Sequence, residues 1–444
     1  MTDPDLLVIG GGPAGIAAAV RAADAGASVM LVEMRPALGG AFHRRPIEGV
    51  EPWPIGREGE RRWARLDEGL VRTGIVPRLR TAFLGLDGAG AALLEDRVAG
   101  RVEACHPRAI ILATGALESV RPRPGWHRPG VVTAGGLQVM MKETGRIPEG
   151  RILLAGSGPL LIALAGQLTA RGRPPVAVVE AADPFTEMVA GLGLLAHPRH
   201  LAEAAVHLGR LALARVPWRR ATVLEAITPK GDAFEVRLRD RRGRRTTLEV
   251  DHVALHDGIR PNDHGLPAAN ETPGAGPIVV SAGDGREVLG VVAAEIDGER
   301  AADRALALID GRPEATRDHL RRLARERHAQ AVLARVFAPA RPLDPLETLP
   351  DDTVLCRCEG RTVGDLKVLF TGADTPAGRE IKLTGRFAMG LCQGRFCAHW
   401  VAEASARLGP DAPAPRPRDL TGDRWPARPV PIAALAAVPD APKR

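Results

Sequence analysis

Four of the five cysteines in this 444-residue chain fall in two short knuckles, Cys356-Arg-Cys358 and Cys392-Gln-Gly-Arg-Phe-Cys397. Thiolates grouped as C-x-C and C-x4-C can converge on one metal centre, and a set of four serves both structural zinc and 2Fe-2S clusters. Zinc knuckles usually space each pair by about two to four residues. The C-x-C spacing therefore favours the two-iron cluster, with one close pair per iron; zinc and unliganded thiols are the remaining readings. Thr362 followed by Asp365 reads as a capped helix start, with Val363, Leu366, Leu369 and Phe370 as its apolar stripe behind the first knuckle. Arg357, Arg361, Lys382 and Arg395 lie near the thiols in sequence. They read either as cations that ease cluster reduction or as a solvated surface.

A second chemistry is written at the N-terminus. An apolar strand, Asp5 to Ile9, runs into Gly10-Gly-Gly12-Pro13-Ala14-Gly15, a helix from Ile16 to Ala25, a strand from Ser28 to Val32, and then Glu33-Met34. In this pattern Gly10 permits the tight turn, Gly12 lets the backbone approach a pyrophosphate, and Gly15 lets helix and strand pack closely. The helix N-terminus offers unpaired N–H groups to phosphate, and Glu33 stands at the offset from which an acid accepts a ribose diol.

Three further stretches resemble the two-dinucleotide-binding-domain flavoproteins and imply FAD. Leu38-Gly39-Gly40 follows the acid as in their extended first motif. Ala109-Ile-Ile-Leu-Ala113-Thr114-Gly115 is similar to their second, and Ile278-Val-Val-Ser-Ala-Gly283-Asp284-Gly285 to their third, whose aspartate binds the ribityl chain. The chain departs from many of these relatives at Ala41-Phe-His43-Arg-Arg45, where a Gln is common. Thr353 to about Leu408 resembles the small helical 2Fe-2S module named after bacterioferritin-associated ferredoxin. Its last knuckle, from Met389 to Cys397, is similar to the version fused to the FAD-containing alpha (A) subunits of opine oxidases and D-hydroxyproline dehydrogenases, and to the related chain of hydrogen cyanide synthase.

The resemblance implies an α/β fold with two Rossmann-like domains, the second inserted in the first, and a C-terminal helical 2Fe-2S domain. The expected boundaries are 1–148 and 263–337 for the FAD domain and 149–262 for an NAD(P)-binding-like domain. They continue with a Pro-rich linker at 338–350, the cluster domain at 351–409 and a Pro/Arg-rich extended tail at 410–444, laid on a surface that a partner could supply. The second unit repeats the first: a strand from Arg151, then Gly156-Ser-Gly158-Pro-Leu-Leu161, a helix, the strand Val176–Val179, and Glu180. Leu161 replaces the third glycine and should push helix and strand apart, while Glu180 still suits a ribose. NAD(P), another adenine nucleotide, or no ligand are all open there. Hairpins are expected at Ala91–Val98 with Arg101–Ala104, and at Phe234–Leu238 with Thr247–Leu255; helices are expected at Gly290–Asp310 and Ala315–Phe337.

Composition bounds the remainder. A chain with 45% hydrophobic and 25% charged residues supports two or three ordinary cores. The net charge of +7 resides almost wholly in scattered Arg, aromatics are 3% and Tyr is absent, which disfavours nucleic acid. With four cysteines assigned, Cys105 is left alone, so no disulfide framework is expected, and a reducing cytoplasm is. The start, Met-Thr-Asp-Pro-Asp, reads as no signal peptide, and the uncharged run Ile152–Ala170 is broken by glycines and read as strand, turn and helix rather than a membrane span.

A flavin beside a one-electron cluster makes a two-to-one-electron transformer. No dithiol stands beside the flavin motifs, which excludes a disulfide reductase, and no catalytic residue is read in this chain. The favoured expectation is the electron-transferring alpha subunit of a multi-subunit amino-acid, imino-acid or opine dehydrogenase. Its substrate site would lie in an FAD-dependent beta subunit, and a small ferredoxin-like chain would be a further partner. The alternatives are a self-sufficient NAD(P)H-dependent acceptor reductase and a hydrogen cyanide synthase subunit.

Overall fold

The computed structural model describes residues 3–186, 191–272, 274, 276–311, 317–372, 374–410, 413–422 and 425–436. Its first parallel sheet has the order Ile278–Ser281, Ala109–Leu112, Leu6–Ile9, Val29–Val32. These strands are apolar on nearly every residue because both faces are covered. Leu6 and Val8 point to the helix side, with Ile16, Ala18 and Ala302, whereas Leu7 and Ile9 point to the other face, with Phe83, Leu94 and Ile110. That second face is closed by the antiparallel sheet Thr81–Leu86, Ala92–Asp96, Arg101–Cys105. On the helix face Pro13–Asp24 lies close against Val291–Asp310. A Cβ on Gly298 would stand 2.1 Å from the Ala14 carbonyl oxygen, so only glycine permits this approach.

The same architecture recurs in the second unit. A parallel sheet runs Trp218–Arg219, Ala177–Glu180, Ile152–Gly156, His252–His256, Val131–Thr133. Helices Ala134–Thr144, Pro159–Ala170 and Pro198–Leu213 pack on one face, and the antiparallel sheet Thr222–Lys230, Ala233–Asp240, Arg245–Val250 on the other. The expected strand Thr247–Leu255 is in fact two strands in different sheets. It breaks at Asp251, whose carboxylate takes the Arg151 main-chain N–H at 2.6 Å and its guanidinium at 2.9 Å. The chain passes between the two units along Ala116–Glu118 and returns along Ile259–Pro261, and these segments pair antiparallel.

After the helix Arg317–Val336 the Pro-rich segment is pinned down: Pro339 bridges to Ala182, and Leu346 is fully buried. The expected start of that helix at Ala315 lies outside the described residues. The cysteine lobe follows, with the ribbon Val354–Cys356 and Arg361–Thr362 and helices Val363–Leu369, Gly378–Leu383 and Ala398–Leu408 around Leu355, Ile381, Phe387 and Val401. The Thr362–Asp365 capping box is formed. The described residues of the tail are packed into the fold at two places rather than laid on a partner's surface. Leu420, in the short helix Pro417–Thr421, is part of the lobe core, and Ala434, in Ile432–Ala436, packs with Val430 and Leu435 on Leu84, Leu93 and Val102.

Candidate functional site

The glycine turn after Leu6–Ile9 separates two demands. Gly10 has φ +108°, and a Cβ there would lie 2.4 Å from the Ala113 carbonyl oxygen; a Cβ on Gly15 would lie 1.8 Å from that of Gly10. Both glycines are required by the chain's own packing. Gly12 is different: its φ of −82° and ψ of −177° suit any residue, and its Cβ would meet only the Gly40 Cα, at 3.6 Å. The fold leaves this position open, at the N-terminus of the helix Pro13–Asp24, and the space outside it fits a phosphate approaching the backbone.

The other motif residues gather around that turn. Gly39 N–H donates to the Gly11 carbonyl at 2.8 Å, and Gly40 lies against Gly12. Glu33 is buried and accepts N–H bonds from Gly11 at 2.8 Å and Arg35 at 2.9 Å, which fixes its carboxylate and leaves lone pairs for a diol. Met34 stands at the rim, 39% exposed. Thr114, between buried Ala113 and Gly115 at φ +71°, donates its hydroxyl to the Asn262 carbonyl at 2.8 Å. Gly285 faces Thr114, so the second and third motifs touch. Asp284 is held by the Leu289 and Gly290 N–H groups at 3.0 and 3.1 Å, and burial pushes its carboxyl up. Gly283 N–H is tied at 2.8 Å to Asp297, itself clamped by Arg286 and Arg300. These residues fit FAD.

Sequence reasoning missed the wall built by Ala41–Arg45. His43 is buried, and both its ring nitrogens lack a hydrogen-bond partner among the described residues. Burial, then the cations Arg45, Lys142 and Arg62, bring its pKa to about 4, so the ring is neutral at pH 7. Lys142 donates to the Ala41 and Phe42 carbonyls at 3.1 and 3.0 Å, and burial lowers it to about 8.

In the second unit Leu161 is fully buried within the helix-side core, and a Cβ on Gly158 would lie 3.3 Å from the His256 ring. Glu180 is wholly covered and does not reach outward for a ribose. It contacts Ser157 Oγ at 2.7 Å and takes N–H bonds from Gly158 and Ala182, while Ser157 donates to the Phe337 carbonyl at 2.7 Å. Burial raises Glu180 to about 7. A cavity of about 600 Å³ beside it is bounded by Gly156, Leu160, His256, Phe337 and Pro339.

All four knuckle cysteines come together, as two pairs. Cys397 Sγ lies 3.6 Å from Cys356 Sγ, and Cys358 contacts Cys392. The Cys397 thiol, and then N–H groups of Glu359, Ala388 and Cys358, hold Cys356 down at about 6; the same contact and burial push Cys397 up. Ala388 at φ +58° and Gln393 at φ +57° adopt the left-handed turns that wrap main chain around the sulfurs. Among the described residues no three or more His, Cys, Asp or Glu side chains converge as a single metal-ion site. Three of the four cations near in sequence have structural jobs: Arg395 donates to the Cys392 and Ala427 carbonyls, Lys382 to the Thr421 carbonyl, and Arg361 pairs with Asp365, while Arg357 is exposed. The lobe is docked on the second unit by Trp126, a member of that unit's core, whose indole N–H donates to the Val354 carbonyl at 2.6 Å, and by Arg121, which pairs with Glu403 at 3.2 Å.

The family model of FAD dependent oxidoreductases matches residues 5–68. The alpha (A) chain of opine oxidase from Agrobacterium tumefaciens (strain Ach5) is 32% identical, over 98% of this chain and 92% of its own length. The chain belongs to the family of opine oxidase alpha (A) subunits. It is an FAD-dependent oxidoreductase. Hydrogen cyanide synthase subunit HcnB of Pseudomonas aeruginosa is 31% identical, with 97% of each chain covered. Both relatives are named as one subunit of a larger enzyme, which supports a hetero-oligomer. The crystal structure of L-proline dehydrogenase from P. horikoshii shares the fold, with a TM-score of 0.63 at 19% identity over 98% of this chain and 79% of that one. Among the described residues no helix is long and apolar enough to cross a membrane.

Proposed function

We propose that this chain is the electron-handling alpha subunit of a multi-subunit dehydrogenase that oxidises the C–N bond of an amino acid, imino acid or opine. The substrate site would lie in a partner flavoprotein subunit. The names of the relatives support the substrate class. FAD would be held by Gly10, Gly12, Pro13, Ala14, Gly15, Glu33, Met34, Gly39, Gly40, Ala113, Thr114, Gly115, Gly283 and Asp284. A 2Fe-2S cluster would be held by Cys356, Cys358, Cys392 and Cys397. The domain division is part of the proposal, with the boundary expected at 148 moved to the crossover at Ala116–Glu118 and the lobe expected to end at 409 extended to include Leu420.

The observation that carries this reading is the arrangement of the thiols as two close pairs, Cys356 with Cys397 and Cys358 with Cys392, on a lobe bonded to the second unit beside the paired segments Ala116–Glu118 and Ile259–Pro261 that lead to the flavin half. One tetrahedral zinc needs four sulfurs around a single point, whereas two irons need two pairs. The pairs run between the knuckles rather than within each. When bound, FAD takes two electrons and gives them up singly to a one-electron carrier. The chain's own residues bind and orient: the open Gly12 and the helix N-terminus receive phosphate, Glu33 the ribose, Asp284 the ribityl chain, and the neutral His43 and the Lys142-tied loop exclude water. The outer cysteines, Cys358 and Cys392, lie beside Leu391, which is 80% exposed, a surface suited to a redox partner.

The reductase reading rests on the cavity beside Gly156 and is weakened by the closure of Glu180 under Phe337. Copurification from native cells tests the proposal. A second flavoprotein chain with about two irons and two labile sulfides per copy of this chain is the expected result; one zinc and no iron after oxygen-free preparation refutes the cluster.

A further inference from the structure

The segment Ile259–Pro261 joins the two proposed redox sites. On one side, Asn262 is stapled to the second flavin motif: its N–H donates to the Gly115 carbonyl at 2.9 Å, its side-chain amide to that of Thr114 at 3.1 Å, and its own carbonyl takes the Thr114 hydroxyl. On the other, Ser119, beyond the paired strand Ala116–Glu118, meets His399 Nε2 at 3.1 Å, two residues after Cys397. Arg260 sits between. Its Nε and Nη2 are buried and have no hydrogen-bond partner among the described residues. The opposing charges near it are Asp263 and the sulfurs of Cys397 and Cys392.

An arginine cannot shed its proton, so a buried guanidinium with unpaired N–H groups is costly unless something negative lies beside it. Of the cations near the knuckles in sequence, Arg361, Lys382 and Arg395 have the partners described above, and Arg357 is exposed. After Asp263, the negative groups that act on Arg260 are one sulfur from each close pair. Sulfurs that bind metal as thiolates would supply the missing charge, and each electron added makes that assembly one charge more negative.

We propose that Arg260 is a positioning residue for electron transfer, holding a fixed positive charge near the Cys392 and Cys397 sulfurs so that the cluster is more easily reduced from the flavin side. The inference rests on the cluster reading above. In the step concerned one electron passes from reduced flavin to the cluster, no bond is made or broken there, and no proton moves at the sulfurs. A cation in a water-poor site stabilises the more negative state far more than the same charge in solvent.

The test uses the full-length holoprotein, purified without oxygen and titrated with dithionite while the electron-paramagnetic-resonance signal of the reduced cluster is followed. Arg260→Gln should keep its iron and labile sulfide and be at least tenfold harder to reduce at a fixed poise, a midpoint about 59 mV lower. Arg260→Lys should recover most of the loss. Asp263→Asn, at an exposed residue, should move the midpoint upward. Wild-type protein with a full cluster and an unmoved midpoint in Arg260→Gln overturns this inference and leaves the cluster reading intact. If Arg260→Gln loses its iron, the other two variants decide, and an unmoved midpoint in Asp263→Asn overturns it. Wild-type protein without iron and sulfide overturns the cluster reading and this inference with it.

Discussion

Replacing Gly12 tests whether the open position at the first turn is a ligand site or merely spare room. A Cβ there has only the Gly40 Cα within 4 Å, at 3.6 Å, and the backbone angles are ordinary for any residue. Alanine is the poorer helix N-cap, by somewhat under about 1 kcal/mol relative to glycine, so the flavin-free Gly12→Ala protein should unfold within about 1 kcal/mol of wild type. Flavin binding should suffer far more, because a methyl then stands where the pyrophosphate must come close. Overpacking costs about 1–3 kcal/mol, which is roughly 5- to 150-fold in affinity, and Gly12→Val should yield flavin-free protein. Gly15→Ala is the contrast, since its Cβ would lie 1.8 Å from the Gly10 carbonyl oxygen and the fold itself should fail. The assay pairs urea unfolding of the flavin-free protein with flavin titration monitored by fluorescence. Full flavin content in Gly12→Val would overturn the ligand-site reading; so would a flavin-free Gly12→Ala as unstable as Gly15→Ala.

Other outcomes follow from the same geometry. Because burial raises Glu180 to about 7, its contribution to stability is fully present below about pH 4.5 and is lost as pH rises through 7. Glu180→Gln should therefore lose less stability than wild type between pH 5 and 8, by up to about 3 kcal/mol; parallel unfolding curves would count against the buried carboxyl. Cutting the chain after Gly409 removes Leu420 from the lobe core and Ala427 from Arg395, so iron content and lobe stability should fall together, by about 2–5 kcal/mol for the lost leucine alone. A truncated chain with unchanged iron and melting temperature would show that the tail is dispensable. NADH should reduce the bound flavin poorly, because Glu180 is closed off beneath Phe337; stopped-flow bleaching at about 1 to 1000 per second would revive the reductase reading.

What is legible in the sequence is local. The first glycine turn shows itself because strand, glycines, helix and acid are contiguous within about thirty residues, although the carbonyl that excludes a Cβ at Gly10 belongs to the distant Ala113. The capping box at Thr362 is equally local. The run Thr247–Leu255 reads as one strand because no Gly or Pro interrupts it; the break is made by an ion pair from Asp251 to Arg151, far away in sequence. The tail looks extended from its prolines, yet Leu420 and Ala434 are buried by contacts that no local pattern announces. Arg260, His399 and Trp126 are invisible as site residues for the same reason: they reach the cysteine lobe or its docking face only through tertiary packing. His43 leaves a signal, the departure from the flavoprotein pattern after Gly40, but not the burial that keeps it neutral.

Whether this chain handles electrons and leaves substrate to a partner is decided by purifying the single chain with its FAD and iron and offering proline, hydroxyproline, glycine and an opine with a dye as acceptor. No turnover is expected until the partner flavoprotein is added back. Turnover by the isolated chain at a rate comparable with the native complex would show that the substrate site lies here instead.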